Sequence, residues 1–188
     1  MHDAEHGTEP ARRDDLSDAD LRAANLLGAL ALTVTERTAA SLQDGGTVAG
    51  TDAMALVALH NYAEGATLET LRSGLGLSQP GTVRLVDRLA ARGLVERRRS
   101  ERDGRALALH LTDAGRRAVE TALTARAAVT TEVLAGLTER ERERLTALLE
   151  KMLAAQTTDR VSARRICRLC DGDACGHPDH CPVTQAIH

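Results

Sequence analysis

Four closely spaced cysteines are the residues in this sequence with the clearest capacity for chemistry. All of them lie in the last 22 residues of the 188-residue chain. They are Cys167, Cys170, Cys175 and Cys181. Two thiolates separated by two residues can bind a tetrahedral metal ion from one tight turn, and two further thiolates can complete a four-sulfur shell. The pattern predicts a zinc site, with His177 and His180 as alternate ligands.

The second half of this pattern leaves other chemistries open. Common zinc modules separate their two ligand pairs by a dozen residues or more, whereas here the second pair follows closely. The same thiols could form reversible disulfides. They could also hold an iron–sulfur cluster, which is less favoured than zinc. A further interpretation is a disordered tail in which the cysteines have little function. In a reducing compartment such a cluster favours metal binding or redox chemistry over structural disulfides.

A second group of residues with recognisable chemistry is a concentration of arginines in the middle of the chain. From Arg72 to Arg117 there are eleven arginines and five acidic residues, a local charge of +6 in a chain whose formal net charge is −3. Guanidinium groups pair with phosphates and with guanine edges. Positive charge confined to one segment is typical of a surface that binds duplex DNA.

The elements that must position these arginines are a helix and a hairpin. Ser78 can cap a helix and Pro80 suits its first turn, which predicts a recognition helix over residues 78–92, ended by Gly93. Residues 94–111 follow as two short strands joined by a polar turn, and form the predicted wing. A helix followed directly by a basic hairpin indicates a winged helix-turn-helix.

Long helices on both sides complete the predicted fold, which is mainly α within the α+β class. Residues 16–43 and 112–158 carry apolar residues at helical spacing, more than a small winged helix can cover, and are predicted to be dimerisation helices. Residues 1–15 are predicted to form a flexible arm. The winged-helix domain then spans 16–160 and the cysteine-rich tail 161–188.

Two motifs in the predicted recognition helix and wing resemble those of a known family. They are SQPxxxRLVDRLxxRGLV at Ser78 to Val95 and DGRxxxLxLTxxG at Asp103 to Gly115. The chain resembles the MarR family of winged-helix transcriptional regulators, here with a C-terminal cysteine-rich extension. The resemblance implies a homodimer, in most cases a repressor, whose two recognition helices enter successive major grooves of a pseudo-palindromic operator.

The predicted recognition helix supplies the candidate base contacts. Ser78 and the first backbone amides can hold a phosphate, because the start of a helix carries partial positive charge. Gln79 and Arg84 can pair with adenine and guanine edges respectively. Thr82 and Val83, also assigned to the DNA-binding set, stand in the reverse of the usual family order, so base preference does not carry over from relatives.

The wing and its base supply the predicted backbone contacts. By resemblance, Arg105 matches the arginine that enters the minor groove and Asp103 the acid that braces the wing. Arg102 could bind a neighbouring phosphate. The remaining arginines are predicted to touch phosphates, which gives affinity with strong salt dependence. They are Arg88, Arg97, Arg98 and Arg99.

Taken together, these patterns predict a sequence-specific DNA-binding regulator and not an enzyme, because no nucleophile elbow, phosphate-binding glycine loop or metalloprotease histidine pair is present. The alternative is a metal carrier or thiol-redox protein in which the tail is the active part. The effector is expected to be a small molecule or a redox signal. No apolar stretch of about 18 residues occurs and the N-terminus is charged, so a cytoplasmic protein without a membrane segment is expected.

Overall fold

The computed structural model describes residues 15–44, 48, 50–99 and 107–187. The helices are α1 (Asp18–Asp44), α2 (Thr51–Ala58), α3 (Leu68–Leu75), α4 (Gln79–Ala91), α5 (Asp113–Leu134), α6 (Glu139–Ala155), α7 (Arg160–Cys167) and α8 (Pro182–Gln185). The strands are β1 (Val95–Arg99) and β2 (Leu107–Leu111), which form one antiparallel pair. This mainly helical fold with a small two-stranded sheet confirms the predicted fold class. Apart from Asp15, the predicted arm lies outside the described residues.

The chain divides into two compact units, up to residue 36 and from residue 37 onward, and α1 runs through the boundary. Ser17 caps α1, because its hydroxyl accepts a hydrogen bond from the backbone N–H of Asp20 at 3.2 Å. In the first unit, four leucines of α1 are exposed. They are Leu26, Leu27, Leu30 and Leu32. This helix therefore presents apolar surface that nothing in its own unit covers.

The core of the second unit is aliphatic and gathers α2, α3, α4, the hairpin and the first half of α5. Its largest buried side chains include Leu56, Leu71, Leu85 and Leu89, each at most 2% exposed. Such burial contributes roughly 1.5–3 kcal/mol for each side chain. One continuous core contains the apolar residues that recur at helical spacing in α4 and the buried apolar residues of the two hairpin strands.

The turn from the hairpin into α5 requires a glycine. Thr112 caps α5, since its hydroxyl accepts from the Gly115 N–H at 3.0 Å, and the same hydroxyl donates to the Gly93 carbonyl at 2.7 Å. A β-carbon on Gly115 would lie 2.1 Å from the Leu94 carbonyl oxygen. The close approach of α5 to the start of β1 therefore depends on Gly115 having no side chain.

The segment before α3 differs from the sequence expectation. Periodicity predicts one helix from Thr51 to about Ala63 with Thr51 as its cap. In the structure Gly50, with a φ of 54°, is the N-cap and Thr51 is the first helical residue. The helix then changes to a π-helical segment over Leu59–Ala63. A π-helix turns its side chains relative to an α-helix, and the tail contacts this segment.

The tail contains more regular structure than the sequence indicates. Asp159 caps α7 by accepting from the Ser162 N–H at 2.7 Å. α7 packs along α3, and α8 packs against α6. The predicted domain boundary at residue 161 stays a prediction. Among the described helices, none is both long and apolar enough to cross a bilayer.

Candidate DNA-binding surface and cysteine cluster

The recognition helix α4 divides into a buried face and an exposed face, as its sequence predicts. Ser78 is the N-cap, and its hydroxyl accepts from the Gly81 N–H at 3.3 Å. Leu85, Val86 and Leu89 are buried. Four residues of the other face are exposed to solvent. They are Gln79, Val83, Arg84 and Asp87. The residues predicted to read bases are thus free to meet a ligand.

Thr82 does not belong to this exposed face. Its side chain is fully buried, and its hydroxyl donates to the Ser78 carbonyl oxygen at 3.0 Å. The assignment of Thr82 to the DNA-binding set is therefore corrected, because helical phase turns it into the core. Val83, one position further on, is 37% exposed and takes the outward place instead.

Arg88 is exposed and also has a structural partner. Its guanidinium forms a two-pronged ion pair with Asp52 of α2, with Nε 3.2 Å from both carboxylate oxygens and Nη2 bonded to Oδ1. Arg92 reaches the same carboxylate at 3.3 Å. Asp52 is buried, so the pair ties α4 to α2 and holds the recognition helix in place. The Arg88 side chain is still 52% exposed, so the phosphate contact predicted for it stays a prediction.

The hairpin arginines are exposed, and two of them are paired. Arg97 donates to Asp87 at 2.7 Å, which joins β1 to the exposed face of α4. Arg98 pairs with Glu96 on its own strand. Among the described residues, no ion pair occupies Arg84 or Arg99. These two guanidiniums are therefore the cations of the surface most available to phosphates.

The tip of the wing falls outside the described residues. Arg102, Asp103 and Arg105, predicted to contact the minor groove and brace the loop, all lie there. The two strands that carry this tip are described, with Arg99 opposite Leu107 in the last pair of the register. The wing contacts therefore stay predictions.

The four cysteines meet at one cavity. It has a volume of about 170 Å³ and is lined by all four cysteine side chains, as well as by His177 and Arg164. Cys175 Sγ lies 3.9 Å from Cys181 Sγ, and Cys181 is only 2% exposed. The structure thus brings together the thiols that the spacing groups in sequence.

Hydrogen bonds between neighbouring thiols shift the pKa values of the cysteines in opposite directions. The Cys167 thiol donates to the Cys170 sulfur, which lowers the pKa of Cys170 to about 6; burial opposes this and Arg126 assists it. The same hydrogen bond, together with burial, raises the pKa of Cys167. Burial raises the pKa of Cys175 to about 12. Cys170 is therefore the most readily ionised of these three.

The two histidines are less well placed than the cysteines. His177 borders the cavity, but its Nδ1 lies 2.9 Å from the Thr184 hydroxyl oxygen, which occupies that nitrogen. His180 is exposed. Within the described part of the chain, no set of three or more His, Cys, Asp or Glu side chains is arranged so that it could hold a metal ion as it stands. The four sulfurs are grouped, and a shell would require their side chains to turn inward.

Sequence reasoning missed the residues that attach the tail and α4. Asp52 lies in the first turn of α2, where an acid usually serves the helix dipole, so nothing in its position indicates a partner 36 residues later. Asn61 donates to the Cys170 carbonyl oxygen at 2.7 Å, and Tyr62 donates to the Arg164 carbonyl at 3.2 Å. Tyr62 is the only aromatic residue in the chain, which was the one available signal that its position matters.

Comparison with known proteins agrees with this geometry. Residues 47–106 match the model of the MarR family. A MarR family protein from Bacillus stearothermophilus is 23% identical, with 76% of this chain and 99% of that chain covered and a TM-score of 0.69. Apo MarR from E. coli is 25% identical, covering 68% and 96%, with a TM-score of 0.55. The F27L mutant of MepR from S. aureus, bound to an oligodeoxyribonucleotide, is 21% identical, covering 70% and 96%, with a TM-score of 0.52.

No curated protein shows significant similarity to the chain. MarR family proteins are transcription regulators and not enzymes, which agrees with the prediction that this chain is not an enzyme. The matched segment contains α2, α3, the recognition helix α4 and the first strand of the hairpin. The chain therefore has the winged-helix fold seen in MarR regulators, and its similarity to the MarR family model covers residues 47–106.

Proposed function

We propose that this protein is a sequence-specific DNA-binding regulator that acts as a homodimer. One observation carries the proposal: the exposed face of α4 presents Gln79, Val83 and Arg84 while its opposite face is locked into the core. Polar side chains on a rigid helix can pair with base edges, and Arg99 at the end of β1 can neutralise a phosphate. The oligonucleotide bound to MepR supports the same use of a similar fold.

Exposed apolar residues on the terminal helices support the dimer. On α6, Leu148 is 59% exposed, with Leu149 and Met152 beside it in the helical pattern. Exposed apolar surface of this extent on two separate helices is typical of a protein interface. A second copy supplies the matching surface, and the twofold arrangement presents two recognition helices to a pseudo-palindromic site. Repression is the mode that the resemblance implies. The cytoplasmic location stays a prediction.

Titration of the full chain with fluorescent duplex DNA at two salt concentrations tests the DNA interface. We expect Arg84→Ala to weaken binding by about 1–3 kcal/mol. Arg99→Ala should weaken binding and reduce the salt slope by about one, because it removes one phosphate contact. Arg140→Ala, which removes an exposed arginine on α6, is the matched control and should bind as the unchanged chain does. Equal losses in all three variants would refute the assignment of this surface.

The mass of the protein in solution tests the dimer. Leu148→Glu should shift the population from dimer to monomer, because a buried carboxylate at an interface is costly. Leu107 is also exposed, at 56%, but lies on the hairpin outside the predicted interface. Leu107→Glu should therefore remain dimeric. If light scattering gave a monomer for the unchanged chain at micromolar concentration, the dimer would be excluded.

The contacts of the tail favour a regulator over a metal carrier. The backbone carbonyl of Cys170 accepts a hydrogen bond from Asn61 of the π-helical segment, which precedes α3 and α4. A carrier that delivers its metal to a partner needs no such attachment. We therefore propose the cysteine cluster as the sensory part of the regulator.

A further inference from the structure

Residues 160–187, named here the cysteine module, lie between two functional parts of the second unit. On one side α7 packs along α3, the helix that precedes the recognition helix. On the other side α8 packs against α6, and Leu153 of α6 contacts the small core of the module. The module therefore connects the proposed dimer helix with the DNA-reading helices.

Hydrogen bonds fix the module to the reading side. The Asn61 side-chain N–H donates to the Cys170 carbonyl at 2.7 Å, and the Tyr62 hydroxyl donates to the Arg164 carbonyl at 3.2 Å. Burial raises the pKa of Tyr62 to about 12, so this hydroxyl keeps its proton. Arg165 donates to the Ser73 carbonyl of α3 at 3.4 Å. The bonds from Asn61 and Tyr62 end on backbone carbonyls of the module itself, so these two contacts depend on the path of the chain around the cysteines.

The module has little apolar material with which to hold that path. Its buried residues are Ala163, Cys181 and Val183, and two more cysteines, Cys167 and Cys175, pack against them. A segment of fewer than thirty residues buries too little surface to stabilise itself, and small folds of this size commonly depend on a disulfide or a bound metal. Leu153, Ile166 and Ile187 pack against the same core only partly buried, so three of its eight side chains are thiols.

One sulfur–sulfur distance in the cluster matches that of a zinc site, although the other side chains must still turn inward to complete a shell. Zinc–sulfur bonds of about 2.3 Å place the sulfurs of a tetrahedral site about 3.8 Å apart. The observed separation between Cys175 Sγ and Cys181 Sγ is 3.9 Å. A disulfide requires a sulfur separation of about 2.05 Å. An iron–sulfur cluster holds its cysteines farther apart, because several iron atoms lie between them.

The surrounding charge fits the same ligand. Four thiolates and one Zn²⁺ carry a net charge of −2, which needs compensation inside a protein. Arg160 and Arg164, both on α7, line the cavity. These two arginines therefore bring positive charge to the cluster. The thiol protons pass to solvent when the four zinc–sulfur bonds form.

We propose that Cys167, Cys170, Cys175 and Cys181 bind one Zn²⁺ ion, and that this ion holds α6 and α3 in the arrangement that binds DNA. The first half of the proposal concerns the metal alone. The second half rests on the proposed function, because it states what the metal controls. Metal binding can stabilise only the arrangement in which all four sulfurs converge, so it biases the position of α3 relative to α6.

Metal analysis of the full chain tests the site itself. Protein purified without oxygen should contain one zinc ion per chain and no acid-labile sulfide. Replacing zinc with cobalt(II) should give the absorption of a tetrahedral four-thiolate complex, and the double variant Cys167→Ser/Cys170→Ser should give neither. A chain that carries iron and sulfide, or no metal and two disulfides, would overturn the zinc site.

DNA titration with and without zinc tests the connection. Removing zinc with a chelator should weaken DNA binding by about tenfold, and adding zinc back should restore it. Asn61→Ala should keep its zinc and bind DNA about threefold to tenfold more weakly even when zinc is present. His60→Ala, at the neighbouring exposed position, is the matched control and should respond to zinc as the unchanged chain does.

The two halves fail in different ways. Full zinc occupancy with DNA affinity that is the same before and after chelation would overturn the connection between module and reading helices. Full zinc occupancy in a chain that binds no DNA under any condition would overturn the proposed function, and the stoichiometry would still support the site.

Discussion

The DNA-reading helix and the cysteine module obtain their shapes in different ways. Behind α4 lie large buried side chains such as Leu85 and Leu89, and a buried carboxylate, Asp52, pairs with Arg88. The module buries only small residues such as Ala163 and Val183, and it relies on thiols and on hydrogen bonds to backbone carbonyls. The first region is stabilised by packing, whereas under the zinc proposal the second depends on a bound ion.

This contrast has a consequence for regulation. A region held by a large core keeps its shape whatever the surroundings, and a region held by a ligand changes with the supply of that ligand. Because the module contacts both α3 and α6, a change in the module reaches the rigid reading region at its edge. If both proposals hold, the protein combines a fixed DNA-reading surface with a connection that depends on zinc.

The largest expected effect concerns the packed region. Leu89→Ala removes a fully buried side chain from the core behind the recognition helix and should lower the free energy of unfolding by about 2–5 kcal/mol. The loss should be the same with and without zinc, because packing of α4 does not involve the module. Urea unfolding followed by circular dichroism measures it. A loss that disappears when zinc is removed would mean that the two regions are not distinct.

Zinc removal should act on the other region. We expect backbone amides of residues 160–187 to exchange their hydrogens roughly 10- to 100-fold faster after chelation, because local opening of the module becomes easier. Amides of α4 should change by less than about twofold on the same scale. Hydrogen exchange with peptide-level mass spectrometry compares the two regions in one sample. Equal acceleration in both would show that they open together.

The contact between the regions can be strained at a single position. A β-carbon on Gly74 of α3 would lie 2.5 Å from the Tyr62 hydroxyl oxygen, so Gly74→Ala should push Tyr62 away from the Arg164 carbonyl and cost about 1–3 kcal/mol. Gly136 has open space around its α-carbon, and Gly136→Ala is the matched control. Thermal unfolding of both variants measures the difference. Equal melting temperatures would show that Tyr62 moves without cost.

The smallest effect is expected at the anchor of the recognition helix. Asp52→Asn keeps one acceptor but removes the charge that pairs with Arg88, and should lower stability by about 1 kcal/mol. The released guanidinium would then add positive charge beside the reading face. Chemical denaturation gives the stability change. A more stable variant would show that the free-energy cost of burying the Asp52 carboxylate exceeds the stabilisation that its ion pair provides.

The recognition helix was predictable because several local signals agree at its ends. Ser78 and Pro80 define its start, Gly93 its end, and its apolar residues recur at helical spacing. The exposed positions of Gln79 and Arg84 follow directly from that phase. The same helical phase explains why Thr82 is buried. It lies four residues before Val86 and seven before Leu89, on the face that packs into the core.

The partners of these residues were not predictable, because they depend on contacts distant in sequence. Nothing local marks Asp52 as the partner of Arg88, or Asn61 as a donor to Cys170. The same limit applies to the tail, where spacing predicts four grouped thiols but not the helices on either side of them. The capping of α7 by Asp159 is a local signal that could have indicated the first of those helices.

The central claim is that the exposed face of α4 reads DNA as part of a twofold dimer. Selection of binding sites from a pool of random duplexes tests this claim most directly. The account predicts enrichment of an inverted repeat whose half-site centres lie about 10 base pairs apart, and loss of preference at specific positions in the Arg84→Ala variant. A pool that stays random, or the same repeat selected with equal strength by the Arg84→Ala variant, would contradict it.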